Sequence, residues 1–284
     1  MSDLSLIKEL RDKTGAGFLD CKNALSENDN NIEQSIDSLR KKGLAKATKK
    51  SSREANEGAV GFYKNEYISV ILKINSETDF SAKSDTFLDF LDIIGNIALN
   101  TNNTSLNLND FLKFGDNGKS ISDLLTEMIA KIGENLIIND LKVFDNKEAK
   151  LNYYIHNPYR KNIGKIVSAV FYSSNEENED VKNFSKNLCM HIAASKPEAM
   201  DIDKLPLELI ESEKKIQEEM IKDSGKPSNV MEKILDGKMK KFFSEVTLLN
   251  QNFVIDTDKT VKKAISDFNV SNSFILKDYI LISL

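Results

Sequence analysis

Tyr67-Ile68-Ser69-Val70-Ile71-Leu72-Lys73-Ile74 runs into Asn75-Ser76-Glu77-Thr78-Asp79-Phe80-Ser81-Ala82-Lys83, and then into Phe87-Leu88-Asp89-Phe90-Leu91-Asp92-Ile93-Ile94-Gly95-Asn96-Ile97-Ala98-Leu99. The first part is short and rich in β-branched residues, as a buried strand is. The last part carries apolar residues at helical spacing. The middle is therefore a strand-to-helix turn. Thr78 or Asp79 can cap the helix there, because a side-chain oxygen accepts a free backbone N–H. Phe80 then either tucks into the core or projects with Asp79 as an acidic and aromatic tip for a partner. This stretch alone admits both.

Outward from the turn, 58–63 and 67–74 flank Lys64-Asn65-Glu66 as a β-hairpin. A polar loop over 100–109, a helix over 121–132 and a strand over 136–144 complete a small α+β unit. The unit then repeats. Residues 152–156 and 163–172 form a second hairpin, 181–194 a second helix, and the pattern of 92–98 lines up with that of 188–194. At the second turn stand Ser173-Ser174-Asn175-Glu176, with no Asp-Phe. That asymmetry favours function over folding at the first turn. A helical excursion interrupts the second copy, with Ile202, Leu205, Leu209, Ile216 and Met220 on one arm. Val230, Ile234 and Leu235 return after Ser224-Gly225-Lys226-Pro227. Two antiparallel helices packed in coiled-coil fashion fit this spacing; they either cover each other or meet a second copy. The copy closes with a strand over 245–248, a helix over 258–268 capped by Thr257 or Asp258, and a strand over 274–282.

Before the first unit, Leu4, Ile7 and Leu10 mark one helix, 18–25 a second, and Ile32, Ile36 and Leu39 a third that stops at Gly43. Three short helices make a compact bundle. Phe18 and Leu19 are consecutive and so lie about 100° apart on their helix. Either one is buried and the other sits at the edge, or both form a small apolar patch for a partner helix. Arg40, Lys41, Lys42, Lys46, Lys49, Lys50 and Arg53 follow with no acid among them, on a stretch that is a linker or a solvated helix extension.

The 284 residues are 40% hydrophobic and 29% charged, the balance of a globular chain, and no apolar run reaches membrane-spanning length. The N-terminus reads as neither a signal nor a transit peptide. Cys21 and Cys189 make no disulfide framework or zinc ribbon, which points to a reducing cytosol. The net charge of −5 argues against nucleic acid as the main partner. Gly15-Ala16-Gly17 follows a helix and lacks a third glycine, and Ser224-Gly225-Lys226-Pro227 has Pro where a Walker loop needs Ser or Thr, so neither reads as a nucleotide site. His191 lies among apolar helix neighbours and His156 at a strand end; neither has a companion at ligand spacing. No nucleophile–base arrangement is visible.

Several motifs, in order along nearly the whole chain, resemble the bacterial elongation factor Ts family. They are Leu10-Arg11-Asp12-Lys13-Thr14-Gly15-Ala16-Gly17-Phe18-Leu19-Asp20-Cys21-Lys22-Asn23-Ala24-Leu25, Leu39-Arg40-Lys41-Lys42-Gly43, Ala55-Asn56-Glu57-Gly58, Thr78-Asp79-Phe80, Lys131-Ile132-Gly133-Glu134-Asn135, His191-Ile192-Ala193-Ala194-Ser195-Lys196-Pro197, Ser224-Gly225-Lys226-Pro227 and Lys240-Lys241-Phe242. The resemblance implies an α+β chain: a UBA-like three-helix bundle over 1–44 that binds a GTPase, a basic linker over 45–57, a core subdomain over 58–147 with the Thr-Asp-Phe tip, and a core subdomain over 148–284 interrupted by a helical hairpin at 198–238. It implies a cytoplasmic guanine-nucleotide exchange factor of translation elongation, with no covalent chemistry and no cofactor. The implied partner is the GTPase elongation factor Tu, with no membrane and no direct nucleic acid; the helical hairpin is where a homodimer would form. Thr78, Asp79, Phe80 and Ser81 would dislodge the partner's Mg²⁺. Arg11, Phe18, Leu19, Lys22, Ile132, Gly133 and His156 would bind the partner. Ser81 departs from the family, which commonly has Val there. Many relatives continue into a further C-terminal helix, a contact expected to be absent or replaced in a chain ending at Leu284. The rival reading is a non-enzymatic RNA-binding or adaptor protein of the translation machinery.

Overall fold

The computed structural model describes residues 4–116, 118–147, 149–176, 178–222 and 227–284. It mixes helices with antiparallel sheet. The chain divides into two units, the first made of Met1–Asn146, Asn157–Ile166 and Ile282–Leu284, the second of Lys147–His156 and Val167–Leu281.

The first unit opens with α1 (Leu4–Thr14), α2 (Phe18–Glu27) and α3 (Ile32–Lys50). Ile7, Leu10, Cys21, Ala24 and Leu25 are buried together, with Ile36 and Leu39 packed against them. Asn31 caps α3 by accepting the Gln34 N–H at 3.0 Å. α3 does not stop at Gly43 but continues to Lys50. The reason is packing: a Cβ at Gly43 would lie 3.0 Å from Cβ of Ala130 on α7, so this glycine serves a close helix crossing. The basic run is therefore helical as far as Lys50 and mostly solvated.

β1 (Glu57–Lys64), β2 (Ile68–Ser76) and β5 (Leu136–Asp145) form an antiparallel sheet with β2 in the middle, Gly61 facing Leu72 and Leu72 facing Leu141. β2 is buried almost throughout, which fits its apolar run Ile68, Val70, Ile71, Leu72 and Ile74; only Lys73 is part-exposed. After it come the single turn α4 (Asp79–Ala82) and α5 (Asp85–Asn100). α5 buries Phe87, Leu88, Phe90, Leu91, Ile94 and Ala98, residues at helical spacing. Tyr63 of β1 donates its hydroxyl to the Leu91 carbonyl at 3.0 Å, fastening α5 to the sheet. The polar stretch expected as loop contains the start of a short helix, α6 (Leu108–Lys113), capped by Asn107. A two-residue ladder, β3 (Gly115–Asp116) with β4 (Lys119–Ser120), leads into α7 (Ile121–Ile132), which has a Ser120–Asp123 capping box and ends at Gly133 in the left-handed conformation.

β6 (Lys150–Arg160) and β7 (Ile163–Ser173) form a hairpin whose tip belongs to the first unit. β6 is longer than expected: it continues through Asn157, which stands at φ +49°, and Pro158 to Arg160. Its Arg160 meets Asp85, Asp89 and Asp92 of α5 at 2.7–3.2 Å, and Ile163 and Gly164 of β7 pair with β1.

In the second unit β7 is flanked by β6 and β10 (Ile275–Ser283). α8 (Glu179–Ser195) and α11 (Val261–Phe268) share a core with Val170, Leu188, Ile192, Phe253 and Phe274, and the Phe184 and Phe268 rings stack at 4.1 Å. α9 (Leu207–Lys222) and α10 (Ser228–Val246) pack on each other, with Lys238 donating to Gln217 at 2.7 Å. Of the turn quoted between them, Ser224, Gly225 and Lys226 lie outside the described residues. No strand forms over 245–248. α10 runs to Val246, and Thr247 then bridges Ala199 before a 3₁₀ turn. Residues 256–260 pair as β9 (Asp256–Thr260) with β8 (Asn252–Phe253), so Thr260, not Thr257 or Asp258, caps α11.

Candidate functional site

α4 is four residues long, too short to hold itself by its own hydrogen bonds. Its neighbours hold it. Thr78 is the N-cap, accepting the Ser81 N–H at 3.2 Å, while Ser84 caps the longer α5 separately. The Thr78 hydroxyl donates to one oxygen of Glu134 at 2.7 Å, and the Thr78 N–H donates to the other at 3.1 Å. In return Glu77 accepts the Asn135 N–H at 2.6 Å. Arg53 pairs with Glu77 at 3.4 Å, and its carbonyl accepts from the Asn135 amide at 2.7 Å. Lys50, at the end of α3, donates to the Gly133 carbonyl. Two connections, β2–α4 and α7–β5, are thus cross-braced by a pair of carboxylates.

On this braced mount Phe80 is 84% exposed, so it is not tucked into the core. Asp79 beside it accepts from Lys83 at 2.8 Å. The lysine hydrogen bond holds the Asp79 carboxyl below the usual carboxylate range and raises the Lys83 ammonium, so both stay charged. Ser81 is buried, and its hydroxyl has no hydrogen-bond partner among the described residues.

The other expected site residues fall in three places. Ile132 and Gly133 end α7 next to Glu134, so the brace joins them to the tip. Arg11, Phe18, Leu19 and Lys22 are exposed on the bundle; Phe18 is 47% and Leu19 66% exposed, which makes the two an apolar patch. An opening of about 380 Å³ is lined by Leu4, Ile7, Arg11 and Phe18. His156 lies in the second unit, half-buried, 3.2 Å from the Tyr154 hydroxyl. His191, whose apolar helix neighbours allowed either a core or an edge position, is buried. Among the described residues no group of three His, Cys, Asp or Glu could hold a metal ion, and no helix is long and apolar enough to cross a membrane. The sequence reading assigned no role to Glu134, Glu77 or Lys83. Lys83 was visible as the i+4 partner of Asp79; the cross-brace depends on residues more than fifty positions apart and carries no local signal.

A bare ring and a charged pair on a rigid turn are the equipment of a protein that acts by contact with another protein. The family model described as "Elongation factor TS" matches residues 77–281. Elongation factor Ts of Allorhizobium ampelinum is 39% identical over 263 residues, covering 93% of this chain and 85% of the relative. That of Rickettsia prowazekii is 39% identical over 274 residues, covering 94% and 87%. The chain belongs to the elongation factor Ts family. It is a nucleotide exchange factor of translation elongation.

Proposed function

We propose that the 78–81 tip enters the nucleotide domain of elongation factor Tu and releases GDP so that GTP can follow. Phe80 wedges between two helices of that domain, and Asp79 places a competing charge near its Mg²⁺. Such a GTPase holds its phosphates with backbone N–H groups, a lysine and the ion, so losing the ion and tilting the loop removes most of the grip. The coupling is reciprocal: factor and GDP each weaken the other's binding. Thr78 and Ser81 shape the turn. Arg11, Phe18, Leu19 and Lys22 meet a helix of the same domain, Ile132 and Gly133 lie against it beside Phe80, and His156 touches a more distant part of the partner. In this reading the bundle of 1–44 and the units over 58–147 and 148–284 are carriers of these contacts, the latter two a duplicated fold, and the setting is the cytoplasm. The hairpin at 198–238 carries exposed Leu207, Ile216 and Met220, which a contact between copies would cover; sedimentation of the free protein, monomeric at all concentrations, would exclude that contact.

The observation that carries the reading is Phe80, an apolar ring left bare on a turn held from both sides by Thr78, Glu134 and the Asp79–Lys83 pair. Stopped-flow release of labelled GDP from elongation factor Tu tests it. Phe80→Ala is expected to slow release about tenfold to a hundredfold, the worth of burying one such ring, and Asp79→Ala to slow it too. Phe18→Ala with Leu19→Ala is expected instead to raise the half-saturating concentration. Release at the parent's rate by both tip variants would sink the proposal.

A further inference from the structure

Phe80 can act only if it leaves the surface in one direction, and a four-residue helix does not set its own direction. The Thr78 hydroxyl is tied on two sides: it accepts the Ser81 N–H at 3.2 Å and donates its proton to Glu134 at 2.7 Å, with one lone pair left over. The second Glu134 oxygen takes the Thr78 N–H at 3.1 Å. A carboxylate accepting two bonds from one residue fixes that residue's rotation as well as its position. Glu134 itself follows Gly133, whose carbonyl is held by Lys50 from α3. The chain of contacts therefore runs from α3 through the end of α7 to the start of α4, with Glu134 as the last link before the tip.

We propose that Glu134 is a positioning residue for nucleotide exchange, acting through Thr78 to aim Phe80. This rests on the reading of 78–81 as the working tip. Glu134 need not touch the partner; its effect is on how often a docked tip is correctly directed, so it belongs to the saturating rate more than to affinity. Errors of a fraction of an ångström or some tens of degrees at a working group are enough to cost such a rate.

The test measures GDP release from elongation factor Tu against factor concentration for the parent, Glu134→Ala, Glu134→Gln, Phe80→Ala and the double variant Phe80→Ala/Glu134→Ala. Glu134→Ala is expected to lower the saturating rate about tenfold, the worth of its charged hydrogen bonds, with the half-saturating concentration within about twofold. Glu134→Gln, which keeps one acceptor oxygen and offers an amide N–H to the Thr78 hydroxyl, is expected to recover most of the loss. In the Phe80→Ala background the alanine at 134 is expected to cost less than about twofold, since the ring it aims is gone. A general loss of structure would not show that non-additivity. If Glu134→Ala does not fold, Glu134→Asp, which keeps the charge but falls one methylene short, takes its place with the same signs. A parent-like saturating rate, or an equal cost with and without Phe80, overturns the positioning role. If Phe80→Ala itself releases GDP at the parent's rate, the tip reading falls first; if Phe80→Ala is slow and the Glu134 variants are not, only the positioning role falls.

Discussion

Ser81 shows what one atom can cost. Its backbone carbonyl accepts the Ser84 hydroxyl at 2.8 Å, but its own hydroxyl is buried without a partner. An unsatisfied buried hydroxyl is destabilising by about 1 kcal/mol or more. Valine, the residue that the family resemblance led one to expect here, puts methyl groups in place of the hydroxyl. Ser81→Val is therefore expected to stabilise the protein by about 1 kcal/mol, read as a higher urea midpoint, with GDP release unchanged because the side chain faces inward. A lower midpoint would show that the pocket cannot take the second methyl. This residue was legible in sequence as a departure, but its burial was not: the turn around Phe80 leaves one neighbour bare and turns the next one in.

At the scale of elements, α8 is joined to the connection between β8 and β9 by a single buried imidazole. His191 Nδ1 accepts the Val254 N–H at 3.2 Å, which puts the ring proton on Nε2, where it is donated to Gln251 at 3.0 Å. The Gln251 amide in turn donates to the carbonyls of Ser195 and Glu245 at 3.1 and 2.8 Å. Protonating Nδ1 would turn that proton against the Val254 N–H, and burial pushes the His191 pKa below the ordinary 6.5. The unfolded chain then binds a proton at 6.5 that the folded chain refuses until the pH is lower. Stability from this group is present above 6.5 and is lost as the pH falls from there toward the folded value. Urea denaturation across that range should show the loss, and His191→Gln, which cannot titrate, should show a shallower pH dependence whatever its absolute stability. A profile of unchanged slope in that variant would assign the loss to other groups. The helix was readable from its apolar spacing, which left His191 either in the core or at its edge. Its partners were not, because 245–248 reads as a strand until the continuation of α10 is seen. Gly43 misled in the same way: a glycine that ends a helix and one that admits a neighbouring helix look alike until α7 is in place.

Across the whole molecule both thiols are sealed. Cys21 and Cys189 are buried, and burial raises the pKa of each above the usual thiol range. Iodoacetamide is expected to leave the native protein unlabelled over hours and to label both residues in urea, with no disulfide-linked dimer on a non-reducing gel after aerobic storage; rapid native labelling would show that one of the cores opens. The large features were legible because each rests on local pattern: a helical bundle at the N-terminus, a strand–turn–helix at the tip, apolar repeats along α5 and α8. What the sequence withheld were ties between distant residues, such as Glu134 to Thr78 and Arg160 to α5, since a hydrogen bond across fifty or more positions leaves no periodicity to read. The ion pair of Asp79 and Lys83 has one more effect. A bare phenylalanine is a point at which copies of a protein stick together, and charges set beside such a residue act as gatekeepers against it. With both groups held ionised, the tip carries its own colloidal guard. The ring stays available to a partner that can pay the desolvation of that pair, and unattractive to another copy of the same chain at high concentration.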